Sequence, residues 1–211
     1  TLAGIEVLAH WISDDGAHIA PEVFVQMAEQ SDLISPLTDR ILLTAIEEIG
    51  DLCQLRGLPL DCRLSVNLSP DLLGDATLPD RVQAMVDNAR FDPACLALEV
   101  TETGAMLRAE ITLDVLTRLH LKGIELSMDD FGTGYTIVKH LYRLPYSEVK
   151  IDRSFVTEMN HSTEAQAIVR SIIQMAHGLG LHVVAEGVET LENMTSLRSM
   201  GCEIAQGFYI A

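Results

Sequence analysis

The sequence predicts an α/β fold in which parallel strands are covered by helices. Short apolar runs alternate with helical patterns along the chain, the rhythm of successive βα units. Apolar residues make up 48% of the chain but aromatics only 5%, so the core is mostly aliphatic, as suits strands buried on both faces. The 211 residues hold no low-complexity stretch and no Pro- or Ser-rich linker, so residues 1–211 read as one continuous domain.

The first strand is expected at Ile5–Ala9, and a helix over Glu22–Gln30 follows Pro21, a good first-turn residue. A long helix covers about Leu37–Arg56, where Ile41, Leu42, Ala45, Ile46, Ile49 and Leu52 recur at helical spacing before Gly57. A strand at Arg63–Leu68 leads to a helix near Pro79–Ala89. The strand Cys95–Val100 leads to a helix at about Ile111–Leu121, ended by Gly123. Next come the strand Ile124–Met128, a loop and short helix at 132–142, and the strand Glu148–Ile151. In the helix at 164–179, Thr163 with Gln166 resembles a capping box, Ile168, Ile172, Ala176 and Leu179 form an apolar stripe, and Gly180 closes the element. The strand Leu181–Ala185, a helix at Leu191–Ser199 and a strand at Glu203–Ala205 complete the pattern. Right-handed crossovers between such units make either an open doubly wound sheet or a closed barrel. A TIM barrel takes about 250 residues, so seven units here would be a barrel short of one strand.

Charge narrows the partners. Asp and Glu number 31 against 14 Lys and Arg, a net charge of −17. Such a surface repels a polyanion, and duplex DNA or RNA is excluded because its binding draws on basic residues at phosphates. A small anionic substrate remains compatible when a metal ion stands between it and the carboxylates. Cysteines 53, 62, 95 and 202 form no CxxC pair and no zinc-finger spacing, which fits reduced thiols and a cytoplasmic location. No apolar run approaches the roughly 20 residues of a membrane helix, and the first residues lack the basic start of a signal peptide. A sensor or membrane segment is therefore expected outside this sequence.

The polar residues at the strand ends carry the functional reading. In order they are Glu6, Asn67, Glu99, Asp129 with Asp130, Lys150, Glu186 and Gln206, each within or just past an apolar run. A buried charge is costly unless paired or bound to metal, and so many on successive strands are hard to explain as separate salt bridges. In a parallel barrel all strand C-terminal ends meet on one face, where these groups would converge. Carboxylates crowded side by side need a counter-ion, and oxygen-rich ligation selects Mg²⁺, Mn²⁺ or Ca²⁺ over zinc. Adjacent Asp129 and Asp130 suit two ions, the arrangement used for phosphoester hydrolysis. By pattern alone the reaction class stays open among hydrolysis, enolisation and aldol cleavage.

At these residues the sequence resembles the EAL-domain family. The matching segments are GIEVLAHW (4–11), LSVNLS (64–69), LALEVTET (96–103), MDDFGTGY (128–135), VKIDRSFV (149–156), VVAEGVET (183–190) and AQGF (205–208). The resemblance implies a modified TIM-like (β/α)₈ barrel with one antiparallel strand, and hydrolysis of cyclic di-GMP to linear pGpG with Mg²⁺ or Mn²⁺, two ions in all, inhibited by Ca²⁺. It implies that Glu6, Asn67, Glu99 and Asp129 hold the first metal and that Asp129 bridges to a second beside Asp130. Glu186 is then the general base, Lys150 bonds the attacking water or phosphate, and Gln206 fixes the water network or the substrate. Leu8, His10 and Glu189 fall at substrate-binding positions. Gly132 and Gly134 let the loop after the ligands turn, Glu102 and Asp152 resemble its anchors, and the loop is tied to a homodimer contact in the family.

The sequence departs from the family pattern in places. Val7 stands for Ala in the name-giving triplet, Thr136 and Ile137 replace serines, and His10 replaces an Arg, exchanging a fixed charged fork for a titratable ring. The opening strand with its Gln-Pro pair and the Arg/Lys-Pro ending have no counterpart, so elements at both ends of the domain are expected to be missing. Plainer readings stand beside these: Lys150 as an ion-pair partner of Asp152, Glu189 as a solvated helix-start carboxylate, and His120, His140, His161, His177 and His182 as ordinary histidines. The alternatives to an enzyme are a catalytically inactive cyclic di-GMP receptor and a protein-interaction domain.

Overall fold

The computed structural model describes residues 2–56, 62–102, 109–133, 141 and 143–210, apart from the side chains of residues 51, 53–56, 109 and 110. The expected stop at Gly57, most of the short helix at 132–142, and Gly134, Thr136, Ile137 and His140 lie outside the described residues. The chain folds into two compact units, Thr1–Glu99 with Leu107–Glu125, and Val100–Met106 with Leu126–Ala211.

In the first unit, β1 (Gly4–Val7), β4 (Arg63–Asn67) and β5 (Leu96–Thr101, whose last two residues belong to the second unit) lie in that order, all parallel. The register sets Glu6 opposite Ser65 and Asn67 opposite Glu99. The helices are α1 (Pro21–Gln30), α2 (Ile34–Arg56), α3 (Leu78–Ala89) and α4 (Ala109–Leu121). Leu42, Ala45, Ile46 and Ile49 of α2 are buried at helical spacing, the stripe that a core-facing helix needs. Two features escaped the sequence reading. Trp11–Ile12 (β2) and His18–Ile19 (β3) form a small antiparallel hairpin, and Pro70–Gly74 and Pro93–Cys95 are 3₁₀ turns. These segments are too short to show a period.

The second unit holds the end of β5, then β6 (Glu125–Phe131, its first residue in the first unit), β7 (Glu148–Ile151), β8 (His182–Ala185) and β9 (Ile204–Ala205), in that sheet order. β6 through β9 pair in parallel. An antiparallel pair is present among the described residues, that of the β2–β3 hairpin. The unit's helices are α5 (Arg153–Glu158), which the sequence reading did not separate from its surroundings, α6 (Thr163–Gly178) and α7 (Leu191–Met200).

Helix α6 corrects two expectations. Its cap is Ser162, whose hydroxyl accepts from Ala165 N, so Thr163 and Gln166 form no capping box. Its buried face is Ala165, Val169, Ile172, Ile173 and Ala176, while Ile168 and Leu179 stand about 40% exposed. Ile172 and Ala176 of the expected stripe are buried; its two ends lie at the edge of the buried face, where a rotation of about 100° per residue turns a side chain out to solvent. The stop was placed correctly. Gly180 takes φ +76°, and Leu181 N donates back to Ala176 O at 2.9 Å, the six-residue closure that a left-handed residue permits.

An ion network braces the first unit. Arg81 of α3 pairs with Asp75 and, at 3.3 Å, with Asp39 of α2, while Arg118 of α4 reaches Asp80 at 2.7 Å and Ala76 O at 2.6 Å. Burial pushes the Asp75 carboxyl up, but hydrogen bonds from Thr77 and Arg81 outweigh it and hold the group at about 2. A depressed carboxylate stabilises the fold above its unfolded value of 3.8 and loses that contribution as pH falls toward 2. Asp75→Asn is therefore expected to cost on the order of 1 kcal/mol at neutral pH, or roughly 2–4 °C in midpoint. The difference from the parent should shrink below about pH 4, as measured by thermal melts across a pH series.

Candidate metal centre

The site in the second unit starts from a fault in a strand. Met128 of β6 faces Val149 of β7 and Phe131 faces Ile151, so Asp129 and Asp130 together oppose the single residue Lys150. This is a β-bulge, and Asp130 takes the left-handed conformation at φ +54°. In a regular strand, neighbouring side chains point to opposite faces. Here the bulge turns both carboxylates toward one place. Oxygens of Asp129, Asp130 and Glu186 lie within 4.8 Å of one another.

Lys150 fills the middle of this group. It is 2% exposed, and its Nζ stands 2.7 Å from Glu186 Oε1 and 3.5 Å from Asp129 Oδ1. The ion pair considered between Lys150 and Asp152 is thus replaced by pairs to Asp129 and Glu186. Asp152 Oδ1 accepts from Ser154 N at 3.0 Å and caps α5. Glu186 follows β8 directly, and its N donates to Ile151 O at 3.1 Å, which sets the carboxylate beside the end of β7.

The loop after the bulge is fastened at its start. Glu102 N donates to Asp129 O at 3.1 Å, and the Glu102 carboxylate accepts from Gly132 N at 3.0 Å. Gly132 takes φ +103°, and a Cβ there would lie 2.9 Å from the Phe155 ring, so a side chain is excluded by both conformation and space. Gln206 continues β9, donating from its N to Ala185 O and accepting from Val188 N, both at 2.9 Å, while its side chain is exposed, as is that of Glu189.

The first unit carries a second polar cluster at its strand ends. Asn67 Nδ2 donates to Glu6 Oε1 at 3.1 Å, and Glu99, 2% exposed, lies opposite Asn67 in the register. Leu8 and His10 are exposed and line an apolar cavity of about 1050 Å³ with Trp11, Phe24 and Met27.

The donor set of the second unit fits a divalent cation: three hard oxygen donors converge, with one ammonium group against three carboxylates. The electrostatic cost is visible at Asp130. Burial pushes its carboxyl up, the charges of Asp129 and Asp152 push further with a smaller addition from Glu102, and Lys150 alone pulls the other way. A carboxyl raised in the folded state costs stability as pH rises through its titration. Without metal, Asp130→Asn is therefore expected to melt above the parent at pH 7 and to converge with it below about pH 4. Asn also tolerates the left-handed backbone. With Mn²⁺ the order should reverse, because the parent gains more from the ion. Melting curves with chelator and with Mn²⁺ test both halves.

Comparison with known proteins places the chain. The EAL domain profile matches residues 1–211. The cyclic di-GMP phosphodiesterase RocR of Pseudomonas aeruginosa is 34% identical over 210 residues, covering 100% of this chain and 53% of that protein. The bifunctional diguanylate cyclase/cyclic di-GMP phosphodiesterase MucR of the same species is 37% identical over 209 residues, covering 99% of this chain and 30% of that protein. This chain thus spans about half or less of those relatives. Among solved structures, a MucR phosphodiesterase complex with c-di-GMP superposes with a TM-score of 0.91 at 37% identity, covering 99% of this chain and 84% of that one. The FimX EAL domain of P. aeruginosa bound to c-di-GMP, 23% identical, shares the fold with a TM-score of 0.87 over 97% and 81% of the two chains.

Proposed function

This chain belongs to the EAL domain family, and from that premise we propose that it hydrolyses cyclic di-GMP to linear pGpG with two divalent cations, Mg²⁺ or Mn²⁺. The observation that carries the reading is the bulge that gathers Asp129 and Asp130 with Glu186 around buried Lys150. Relatives named as cyclic di-GMP phosphodiesterases support the substrate. Homodimerisation, a sensor domain elsewhere in the polypeptide and a cytoplasmic location belong to the same reading. Among the described residues no helix is long and apolar enough to cross a membrane.

Each residue has a task. Glu6, Asn67, Glu99, Asp129 and Asp130 supply the oxygen donors for the divalent cations. Bound cations supply positive charge that stabilises the phosphoryl transition state and lowers the proton affinity of water. Glu186 accepts the proton of the attacking water. Water oxygen bonds to phosphorus, the bond to the 3′-oxygen breaks, and that oxygen takes a proton from solvent water and leaves as a hydroxyl. The Lys150 ammonium, 2.7 Å from Glu186, orients this carboxylate and bonds the phosphate. Leu8, His10, Gln206 and Glu189 touch the nucleotide, and Glu102, Asp152, Gly132 and Gly134 hold the loop beyond the bulge. Ca²⁺, with looser geometry on the same oxygen donors, inhibits.

Chromatography of cyclic di-GMP incubated with the purified protein and Mg²⁺ or Mn²⁺ should reveal pGpG. Glu186→Gln is expected to bind nucleotide normally and lose about 10²–10⁴ in kcat. Asp129→Asn should lose both metal binding and turnover. Nucleotide binding without any product would overturn the enzyme reading and identify a receptor. An unchanged melting temperature with nucleotide and metal would point to a protein-interaction domain.

A further inference from the structure

Asn67 ends β4, and Leu68 and Ser69 carry the chain out of the sheet. Leu68 N donates to Glu99 O at 2.8 Å, which ties the exit to β5. Ser69 then uses its hydroxyl twice. It accepts from Asp71 N at 3.3 Å, capping the 3₁₀ turn Pro70–Gly74, and it donates to Glu29 Oε1 at 2.7 Å. A hydroxyl that both gives and accepts has a fixed rotor. Glu29 reaches it from α1, forty residues earlier in the chain, and both partners are half-buried.

The place of Glu29 is unfavourable for its own helix. It stands in the last turn of α1, before the C-cap Ser31, where the negative end of the helix dipole opposes a carboxylate. Helix formation therefore does not account for it, whereas the tie to Ser69 does. We infer that Glu29 is a positioning residue for the metal-ligating amide of Asn67, acting through the Ser69 hydroxyl. The inference rests on the metal reading proposed above. With the tie in place, residues 67–69 are fixed at both β5 and α1. Asn67 then meets Glu6 at 3.1 Å with its carbonyl oxygen left to face a cation. Without the tie, the exit from β4 is held from one side, and the amide must be ordered each time a cation binds.

Calorimetric titration of the metal-free protein with Mn²⁺, with no nucleotide present, reads the effect directly. Glu29→Ala is expected to weaken Mn²⁺ binding about tenfold, the usual scale for losing a group that orients a ligand. The Mn²⁺ concentration for half-maximal turnover should rise by the same factor while KM for the nucleotide stays unchanged. Glu29→Gln keeps an acceptor oxygen for Ser69 and is expected to bind Mn²⁺ like the parent, a rescue that a purely structural role for the charge would not give. Ser69→Ala breaks the same bond from its other end and carries the test should Glu29→Ala fail to fold. The double variant should be no weaker than the weaker single, as for one shared interaction. Parental Mn²⁺ affinity in folded Glu29→Ala, or equal losses in Glu29→Ala and Glu29→Gln, would overturn the inference. A parent that binds no Mn²⁺ would instead overturn the metal reading beneath it.

Discussion

A single buried ammonium organises the chemistry of the second unit. Lys150 is 2% exposed, yet it carries a charge that burial penalises heavily unless partners compensate. Asp129 and Glu186 supply that compensation at 3.5 Å and 2.7 Å. Three carboxylates around one lysine leave an excess of negative charge, which adds to burial in raising the Asp130 carboxyl. The excess suits a divalent cation rather than a closed salt bridge. The strand ends are thus balanced for a guest, and the surrounding backbone must hold them in place against their own repulsion.

Backbone geometry meets that demand through a local fault rather than through regularity. One extra residue in β6 puts two adjacent aspartates opposite one lysine, at the cost of a left-handed Asp130. The fault is fastened on both sides. Glu102 grips Asp129 O with its N–H and Gly132 N with its carboxylate, and Glu186 N is tied to the end of β7. Gly132 lies close against Phe155, so the turn that follows the two aspartates is specified by packing as well as by hydrogen bonds. Groups at such a site need placement within fractions of an ångström, which explains why so many bonds end on so few residues.

The first unit solves a similar problem with different means. Its strands are regular, and register alone sets Asn67 opposite Glu99 and joins its amide to Glu6. Placement there is refined from outside the sheet, by a 3₁₀ turn and by a helix whose last turn reaches Ser69. The arginine network of Arg81 and Arg118 spans α2, α3 and α4 and leaves the strand ends free for function. The net charge of −17 agrees with this division, since the basic residues that fold the unit are spent on acidic neighbours rather than offered to a polyanion.

The sequence by itself determined the alternation of strands and helices, the seven strands of the larger sheet and the identity of the polar residues that end them. It could do so because aliphatic runs, glycine stops and strand-end charges are local patterns, each written within a few residues. The Gly180 stop and the buried Ile172 and Ala176 of α6 follow such signals, while Ile168 and Leu179 fall at the edge of the buried face and the cap is set by the Ser162 hydroxyl. The hairpin at Trp11–Ile19 and the short helix α5 were too brief to leave a periodic trace. Only the tertiary structure decided that Lys150 pairs with Asp129 and Glu186 rather than Asp152, that a bulge turns Asp129 and Asp130 the same way, and that Glu29 meets Ser69. Those outcomes depend on which distant segments become neighbours, and register and packing, not local composition, fix that choice.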